Sequence, residues 1–161
     1  MKENTYQFSY KEANDINDLN ADDAALLQQA RSLTDIAYAP YSRFNVAAVA
    51  KLANGEIVKG TNQENASFPV GICAERALLG ALGTLFPNEI IDTIAITYQP
   101  VDGKSDRPIS PCGMCRQALS EYENRVNHPI KLILAGMEGK IFIVDTAKDL
   151  LPLAFRGEDL G

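Results

Sequence analysis

All three cysteines of the chain lie in two short segments, CAE at residues 73–75 and PCGMC at residues 111–115. Cysteines at positions i and i+3 lie on one side of a helix opening, where both sulfurs can converge on one tetrahedral zinc ion. Cys73 would supply the third sulfur. This pattern constrains the fold, because two segments that are distant in the sequence must meet at one point.

Three protein ligands leave the fourth tetrahedral position of zinc to water, which distinguishes a catalytic zinc site from a closed structural one. Glu75 cannot share a helical face with Cys73, because two residues turn a helix by about 200°. We therefore expect Cys73 at the mouth of the helix, with Glu75 facing the water and the substrate. A carboxylate there can carry protons in both directions during a reaction.

Three thiolates carry more negative charge than zinc carries positive charge, so compensating positive groups are expected nearby. The N-termini of helices near Cys73 and Cys112 supply partial positive charge. Arg76 and Arg116 are candidates to donate hydrogen bonds to the sulfurs, although either could instead be a solvated surface residue.

A structural zinc site and three ordinary buried thiols are the alternatives to a catalytic centre. A closed site needs a fourth ligand. The only histidine, His128, precedes Pro129 at the start of a predicted strand and lacks the spacing of a zinc ligand. A catalytic metal centre is therefore the favoured interpretation.

Hydrophobic periodicity predicts three helices. The first starts at Asn20 and is expected to end because of Pro40. The second runs from about Cys73 to Phe86, and a short third helix begins near Cys112.

Strands are predicted for the β-rich segments between the helices. FNVAAVAKL and EIVKGTN flank Asn54-Gly55, the residue pair that most favours a two-residue type I′ hairpin turn. IDTIAITY, IKLILAG and KIFIVD supply further strands. The sequence therefore predicts one α/β domain over residues 1–161, with three α/β/α layers and a mixed sheet of about five strands. Residues 1–19 form either a short strand and turn or a flexible arm.

The size and charge of the chain limit its partners. With 161 residues it can bury one substantial core. A net charge of −6 and a pI near 4.8 argue against nucleic-acid binding and favour a small uncharged substrate. The start of the chain lacks the apolar core of a secretory signal, and no apolar run approaches the ~20 residues of a membrane helix. We expect a cytoplasmic protein whose cysteines remain thiols.

The sequence resembles the small, homotetrameric cytidine deaminases in four ordered segments. These are AYAPYSRFNV at 37–46, GTNQENASFPVGICAER at 60–76, PCGMCRQ at 111–117 and LLPLAF at 150–155. The resemblance implies a cytidine deaminase-like fold, one zinc ion per subunit held by three cysteines, and a homotetramer. Deaminases of the same superfamily that act on polynucleotides or deoxycytidylate typically have histidine where this chain has Cys73, so the nucleoside branch is favoured.

The same resemblance implies a set of substrate-binding residues. Asn62 and Glu64 would bind ribose hydroxyls, and the backbone at Ala74 would recognise the pyrimidine ring. Phe44 would stack on the base, and Phe155 would close the site of a neighbouring subunit. Without the resemblance, Asn62 and Glu64 would be read as residues of an ordinary polar loop. Phe44 and Phe155 could be plain core residues.

The implied reaction is the hydrolytic deamination of cytidine or 2′-deoxycytidine in pyrimidine salvage. A deaminase of an antibiotic nucleoside such as blasticidin S is one alternative, because such enzymes share the CAE and PCxxCR segments; Asn62 and Glu64 favour ribose. A non-catalytic, zinc-stabilised binding domain is a second alternative, and the presence of Glu75 argues against it. The chain also departs from the family, with Phe68 in place of the common tyrosine and a long stretch from Pro100 to Ser110.

Overall fold

The computed structural model describes residues 1–161. Its strands are β1 (Lys11–Ala13), β2 (Phe44–Leu52), β3 (Ile57–Thr61), β4 (Ile91–Pro100), β5 (Lys131–Ala135) and β6 (Ile141–Val144). Its α-helices are α1 (Ala21–Leu33), α2 (Ala74–Leu85) and α3 (Gly113–Val126). The sheet has the order β1-β6-β5-β4-β2-β3, in which only β4 and β5 are parallel neighbours. The predicted mixed sheet is confirmed.

Alternate residues of the central strands face opposite layers of the molecule. On β4, Ile94 and Ile96 join the core beneath α2 and α3, whereas Ala95 joins the core beneath α1. On β5, Leu132 faces the first of these cores and Ile133 faces the second. The sheet is therefore covered by helices on both sides, which confirms the three-layer α/β/α arrangement.

The sheet has six strands, one more than predicted. The additional strand is β1, which pairs with β6 at the edge of the sheet. Its sequence Lys-Glu-Ala carries no apolar alternation, and only Ala13 is buried. An edge strand is held mainly by backbone hydrogen bonds, so its side chains give little signal.

The first helix begins where the sequence predicts and ends earlier. Asn20 is its N-cap, with the side-chain oxygen accepting from the amide of Asp23 at 2.9 Å. The helix ends at Leu33, well before Pro40, so the prediction that proline terminates it was wrong. The buried Thr34 hydroxyl instead donates to the carbonyl of Arg31 at 2.8 Å, at the start of a short 3-10 turn.

The predicted hairpin between β2 and β3 is present, but its turn differs from the predicted type. A type I′ turn needs positive φ at both central residues, and only Gly55 has one, at 89°. The four residues 53–56 separate the two strands, and the amide of Gly55 donates to the carbonyl of Leu52 at 2.9 Å. The amide of Ala53 donates to Ile90 at 2.9 Å, which ties the loop to the segment before β4.

The third helix is longer than predicted, with 14 residues. It packs with α2 on one face of the sheet. Along the chain, α2 follows β3 and α3 follows β4. The N-termini of α2 and α3 therefore meet at one end of the sheet. No helix in the structure is both long enough and apolar enough to cross a membrane.

Candidate metal centre

The three cysteine sulfurs lie together where α2 and α3 begin. Cys73 is the N-cap of α2, Cys112 is the N-cap of α3, and Cys115 lies in the first turn of α3. The Sγ atoms of Cys73 and Cys112 are 3.8 Å apart, and those of Cys112 and Cys115 are 3.5 Å apart. All three sulfurs lie within 4.8 Å of one another. The helix mouth predicted for Cys73 is thus its position in the fold.

These separations fit a single zinc ion. A zinc–thiolate bond of about 2.3 Å in tetrahedral geometry places two sulfurs about 3.8 Å apart. The three cysteines form no disulfide. No histidine, aspartate, glutamate or further cysteine joins the cluster, and His128 lines a separate cavity with Asn20 and Asp92. A closed structural site would need a fourth side chain, and the structure places none there.

The backbone at the two helix starts explains why the sulfurs converge. Cys73 and Cys112 both have extended backbone conformations, and neither side chain caps its own helix. Each sulfur can therefore turn towards the other helix. The first amides of an α-helix have no partner within the helix and carry partial positive charge. Two helix N-termini thus direct positive potential at a cluster of thiols.

The protonation of the sulfurs reflects their contact. Hydrogen bonding from the thiols of Cys115 and Cys112, with help from the Arg76 guanidinium, lowers the pKa of Cys73 to about 5. The hydrogen bond to Cys73, together with burial, raises the pKa of Cys115. The contact between the sulfurs therefore favours one thiolate within the cluster.

The two arginines next to the cysteines have different surroundings. Arg76 lies beside Cys73, and its Nε is buried without a hydrogen-bond partner in the protein. Arg116 is directed elsewhere: its Nε donates to the carbonyl of Pro111 at 2.8 Å, and its Nη1 donates to the carbonyl of Leu150 at 3.0 Å. The structure thus places one of the two predicted arginines near Cys73, where its Nη2 donates to the carbonyl of Gly71 at 3.5 Å and not to a sulfur. The other holds the backbone that precedes α3.

Glu75 is the second residue of α2 and is only 5% exposed. Burial raises the pKa of its carboxyl, and the charge on Cys73 adds to this effect. A buried carboxyl with a raised pKa is suited both to accept a proton and to release it during a reaction. Its position next to the sulfurs suits proton transfer beside a metal ion.

The two polar residues predicted to bind ribose hold the start of β2 and the loop before it. The side-chain oxygen of Asn62 accepts from the amide of Val46 at 2.8 Å, and its Nδ2 donates to the carbonyl of Phe44 at 2.9 Å. Glu64 accepts from the amides of Tyr41 and Ser42 at 2.9 and 3.2 Å. Both of these backbone bonds use Oε2 of Glu64.

The predicted aromatic residues differ in their settings. Phe44 is at the margin of the fold and stacks on Tyr98, with ring centroids 4.9 Å apart and planes inclined by 18°. Phe155 is 58% exposed, and its carbonyl accepts from the side chain of Gln117 at 2.9 Å. Phe68 is 91% exposed. Tyr98 was not singled out from the sequence, although it is the aromatic residue near the end of β4 that faces α2 and α3.

The long stretch from Pro100 to Ser110 is anchored rather than loose. The buried Ser105 hydroxyl donates to the carbonyl of Tyr98 at 2.5 Å and accepts from the amide of Met137 at 2.9 Å. The carbonyl of Ser105 accepts from the amide of Glu138 at 3.0 Å. The stretch is thereby attached to the turn between β5 and β6 before it leads into α3.

Comparisons with known proteins agree with this geometry. The family described as the cytidine and deoxycytidylate deaminase zinc-binding region matches residues 20–128. The cytidine deaminase of Halalkalibacterium halodurans is 36% identical over 135 residues, which cover 84% of this chain and 95% of the relative. The crystal structure of cytidine deaminase from Burkholderia pseudomallei has a TM-score of 0.70 and 35% identity, covering 81% of this chain and 97% of that one.

A more distant relative bears on substrate choice. The blasticidin-S deaminase of Bacillus cereus is 31% identical over 117 residues, which cover 71% of this chain and 79% of the relative.

Proposed function

The chain belongs to the cytidine and deoxycytidylate deaminase family, and we propose that it hydrolyses the free nucleosides cytidine and 2′-deoxycytidine to uridine or 2′-deoxyuridine and ammonia. One observation carries this proposal. Three cysteine sulfurs lie at zinc-binding distances, without a fourth side-chain ligand, beside the buried carboxyl of Glu75.

In the proposed centre, Cys73, Cys112 and Cys115 hold one zinc ion per chain. When bound, zinc acts as a Lewis acid that activates a water molecule for attack. The amides at the starts of α2 and α3 and the guanidinium of Arg76 offset the negative charge of the thiolates. The chain therefore contributes both the ligands and the positive groups that keep the metal electrophilic.

Glu75 is the proposed proton carrier. Its carboxylate accepts a proton from water and delivers it to N3 of the pyrimidine ring, while the water oxygen bonds to C4. It then assists proton delivery to the exocyclic nitrogen as the bond from C4 to that nitrogen breaks. One water is consumed and one ammonia is released, so a single carboxyl serves both directions of transfer.

The substrate contacts are proposed on the loop that leads into α2 and on the start of β2. Oε1 of Glu64 and the amide of Asn62 are proposed to bind ribose hydroxyls. The unpaired backbone amide of Ala74 at the helix start is proposed to bind the pyrimidine. Phe44 is proposed to stack on the base, with Tyr98 supporting its other side. The stacking of these two rings supports this assignment.

We further propose that the protein is a cytoplasmic homotetramer of pyrimidine salvage. Leu153 and Phe155 are exposed apolar residues on the tail next to α3, and Phe68 is another on the loop before α2. Large apolar side chains that are this exposed are candidates for burial at an interface. Phe155 is proposed to close the site of a neighbouring subunit. The three unpaired thiols agree with a reducing compartment.

The antibiotic nucleoside blasticidin S is the second candidate substrate, because a blasticidin-S deaminase is among the relatives. Comparing kcat/KM for cytidine and for blasticidin S separates the two. A site whose polar groups are built for ribose discriminates against a sugar that leaves those groups unpaired. Preference for blasticidin S would overturn the assignment of cytidine.

The deciding experiment is the ultraviolet change of cytidine with purified, zinc-loaded protein. We expect turnover by the unmodified protein and a fall in kcat of about 10²- to 10⁴-fold for Glu75→Gln, because the proton carrier is removed. Glu121→Gln, an exposed change on α3, is the matched control and keeps full activity.

Zinc content is measured in parallel and remains one ion per chain in both variants. Zinc binding without any turnover by the unmodified protein would favour a non-catalytic domain. Full turnover by Glu75→Gln would remove the proposed mechanism.

A further inference from the structure

Gly60 is a buried glycine in β3, the strand at one edge of the sheet. It pairs with Ala48 of β2 and faces the first turn of α2. A Cβ atom at this position would collide with the carbonyl oxygen of Ala74 and the amide nitrogen of Leu78, and would lie 2.8 Å from the Cβ of Leu78. Space for even one methyl group is absent.

The colliding atoms are backbone atoms of a helix. The carbonyl of residue i and the amide of residue i+4 are joined by the hydrogen bond that defines an α-helix, and Ala74 and Leu78 have this spacing. They cannot rotate away as the end of a flexible side chain could. A side chain at position 60 would therefore move the start of α2 or bend β3.

Glycine is needed here for space, and not for an unusual backbone angle. Gly60 is not among the residues with positive φ. Gly80 and Gly83, which lie on α2 itself, have no atom within 4 Å of an added Cβ. Of these three glycines, only the strand glycine beneath the first helical turn lacks room for a methyl group.

A shift of α2 would change the metal centre, because the three cysteine ligands come from two helices. Cys112 and Cys115 both belong to the start of α3, and their sulfur separation of 3.5 Å depends on that helix alone. The separation of 3.8 Å between Cys73 and Cys112 depends on where α2 lies. A shift of α2 changes the second distance and leaves the first unchanged.

We propose that Gly60 is a positioning residue of the metal centre: its lack of a side chain lets the first turn of α2 pack directly on β3, which places the sulfur of Cys73 beside the two sulfurs of α3. The inference rests on the proposed zinc site. Gly60 touches neither metal nor substrate, and acts through Ala74 and the adjoining Cys73.

The test compares Gly60→Ala with Gly80→Ala, which adds the same methyl group to an open position. Zinc affinity is measured by competition with a chelator. We expect about a 10- to 100-fold loss for Gly60→Ala, the range found when a group that orients a metal ligand is changed. Gly80→Ala retains the affinity of the unmodified protein.

Cobalt(II) in place of zinc supplies a second readout, because thiolate-to-metal absorption reports the sulfur ligands. We expect Gly60→Ala to lose intensity per bound cobalt, since one of three sulfurs is displaced, and Gly80→Ala to keep the full spectrum. If Gly60→Ala does not fold, it is placed in a Gly80→Ala/Gly83→Ala background, whose added helix propensity stabilises α2.

Unchanged zinc affinity and an unchanged cobalt spectrum in folded Gly60→Ala overturn the proposal, even where the melting temperature falls. Neither measurement uses deamination. A failure of the unmodified protein to act on cytidine therefore refutes the proposed function and leaves the role of Gly60 to be judged by metal binding.

Discussion

Glu123 links α3 to the segment that precedes the tail, and its replacement tests how much this buried carboxylate contributes to stability. It is 3% exposed. Its Oε1 accepts from the amides of Ile130 and Ala147 at 2.7 and 2.8 Å and from the Thr146 hydroxyl at 3.3 Å. Its Oε2 accepts from the amide of Lys148 at 3.1 Å. One side chain thus satisfies four donors.

The geometry sets the expected magnitudes. In Glu123→Gln the amide oxygen can keep the three bonds of Oε1, but the NH₂ group then faces the amide of Lys148, so one bond is lost and the charge is removed. We expect a loss of about 1–3 kcal/mol. In Glu123→Ala the buried amides of Ile130 and Ala147 also lose their acceptor, and the loss is about twice as large or more.

The assays are urea unfolding and thermal unfolding of the zinc-saturated protein, both monitored by circular dichroism. For a domain of this size, a loss of ~1–3 kcal/mol corresponds to a fall in Tm of about 2–12 °C. Glu121→Gln, exposed on the same helix, is the control and stays within ~0.5 kcal/mol of the unmodified protein. If Glu123→Gln behaves like this control, the four-donor arrangement does not stabilise the fold as argued.

Two further predictions concern the metal and the loop before β2. Removing zinc with a chelator lowers the Tm by about 5–11 °C relative to protein held at a zinc concentration ~100-fold above its dissociation constant. In Cys115→Ala, removing zinc leaves the Tm unchanged. An equal effect of zinc on the Tm of that variant would contradict the assignment of Cys115 as a ligand. The Ser42 side chain, aided by the amides of Tyr41 and Ser42, holds the pKa of Glu64 below its ordinary value. The Glu64 carboxylate therefore keeps its hydrogen bonds to the loop at all pH values above about 4.3. These bonds are lost only as the pH falls through the lowered pKa. The NMR shifts of the Tyr41 and Ser42 amides should follow this course, and a change centred at the ordinary glutamate value would contradict it.

Several parts of the fold could be predicted because they depend on neighbouring residues. The unbroken apolar run of Ile94, Ala95 and Ile96 is typical of a strand with two covered faces, and the side chain of Asn20 marks the start of α1. The hairpin at Asn54-Gly55 was predicted, but its turn type was not. The amide of Ala53 in this loop donates to the carbonyl of Ile90, and such a distant link is invisible to local patterns.

The candidate site likewise has features that local spacing predicts and features that it does not. The i, i+3 spacing places Cys112 and Cys115 together on any helix, and the angle between Cys73 and Glu75 follows from helical geometry. The bond of Arg116 to Leu150 follows from no local pattern. It depends on where the tail returns to α3, which the order of the strands sets.

The sequence by itself determined which residues can bind a metal, which residue can carry a proton, and where the helices that present them begin, because these properties depend on side-chain chemistry and short spacings. Only the tertiary structure decided that the sulfur of Cys73 lies 3.8 Å from the sulfur of Cys112. It also decided that Gly60 leaves room for α2 and that Phe44 stacks on Tyr98. These contacts join residues far apart in the chain. Their distances are set by the packing of strands and helices against one another, which no local pattern encodes.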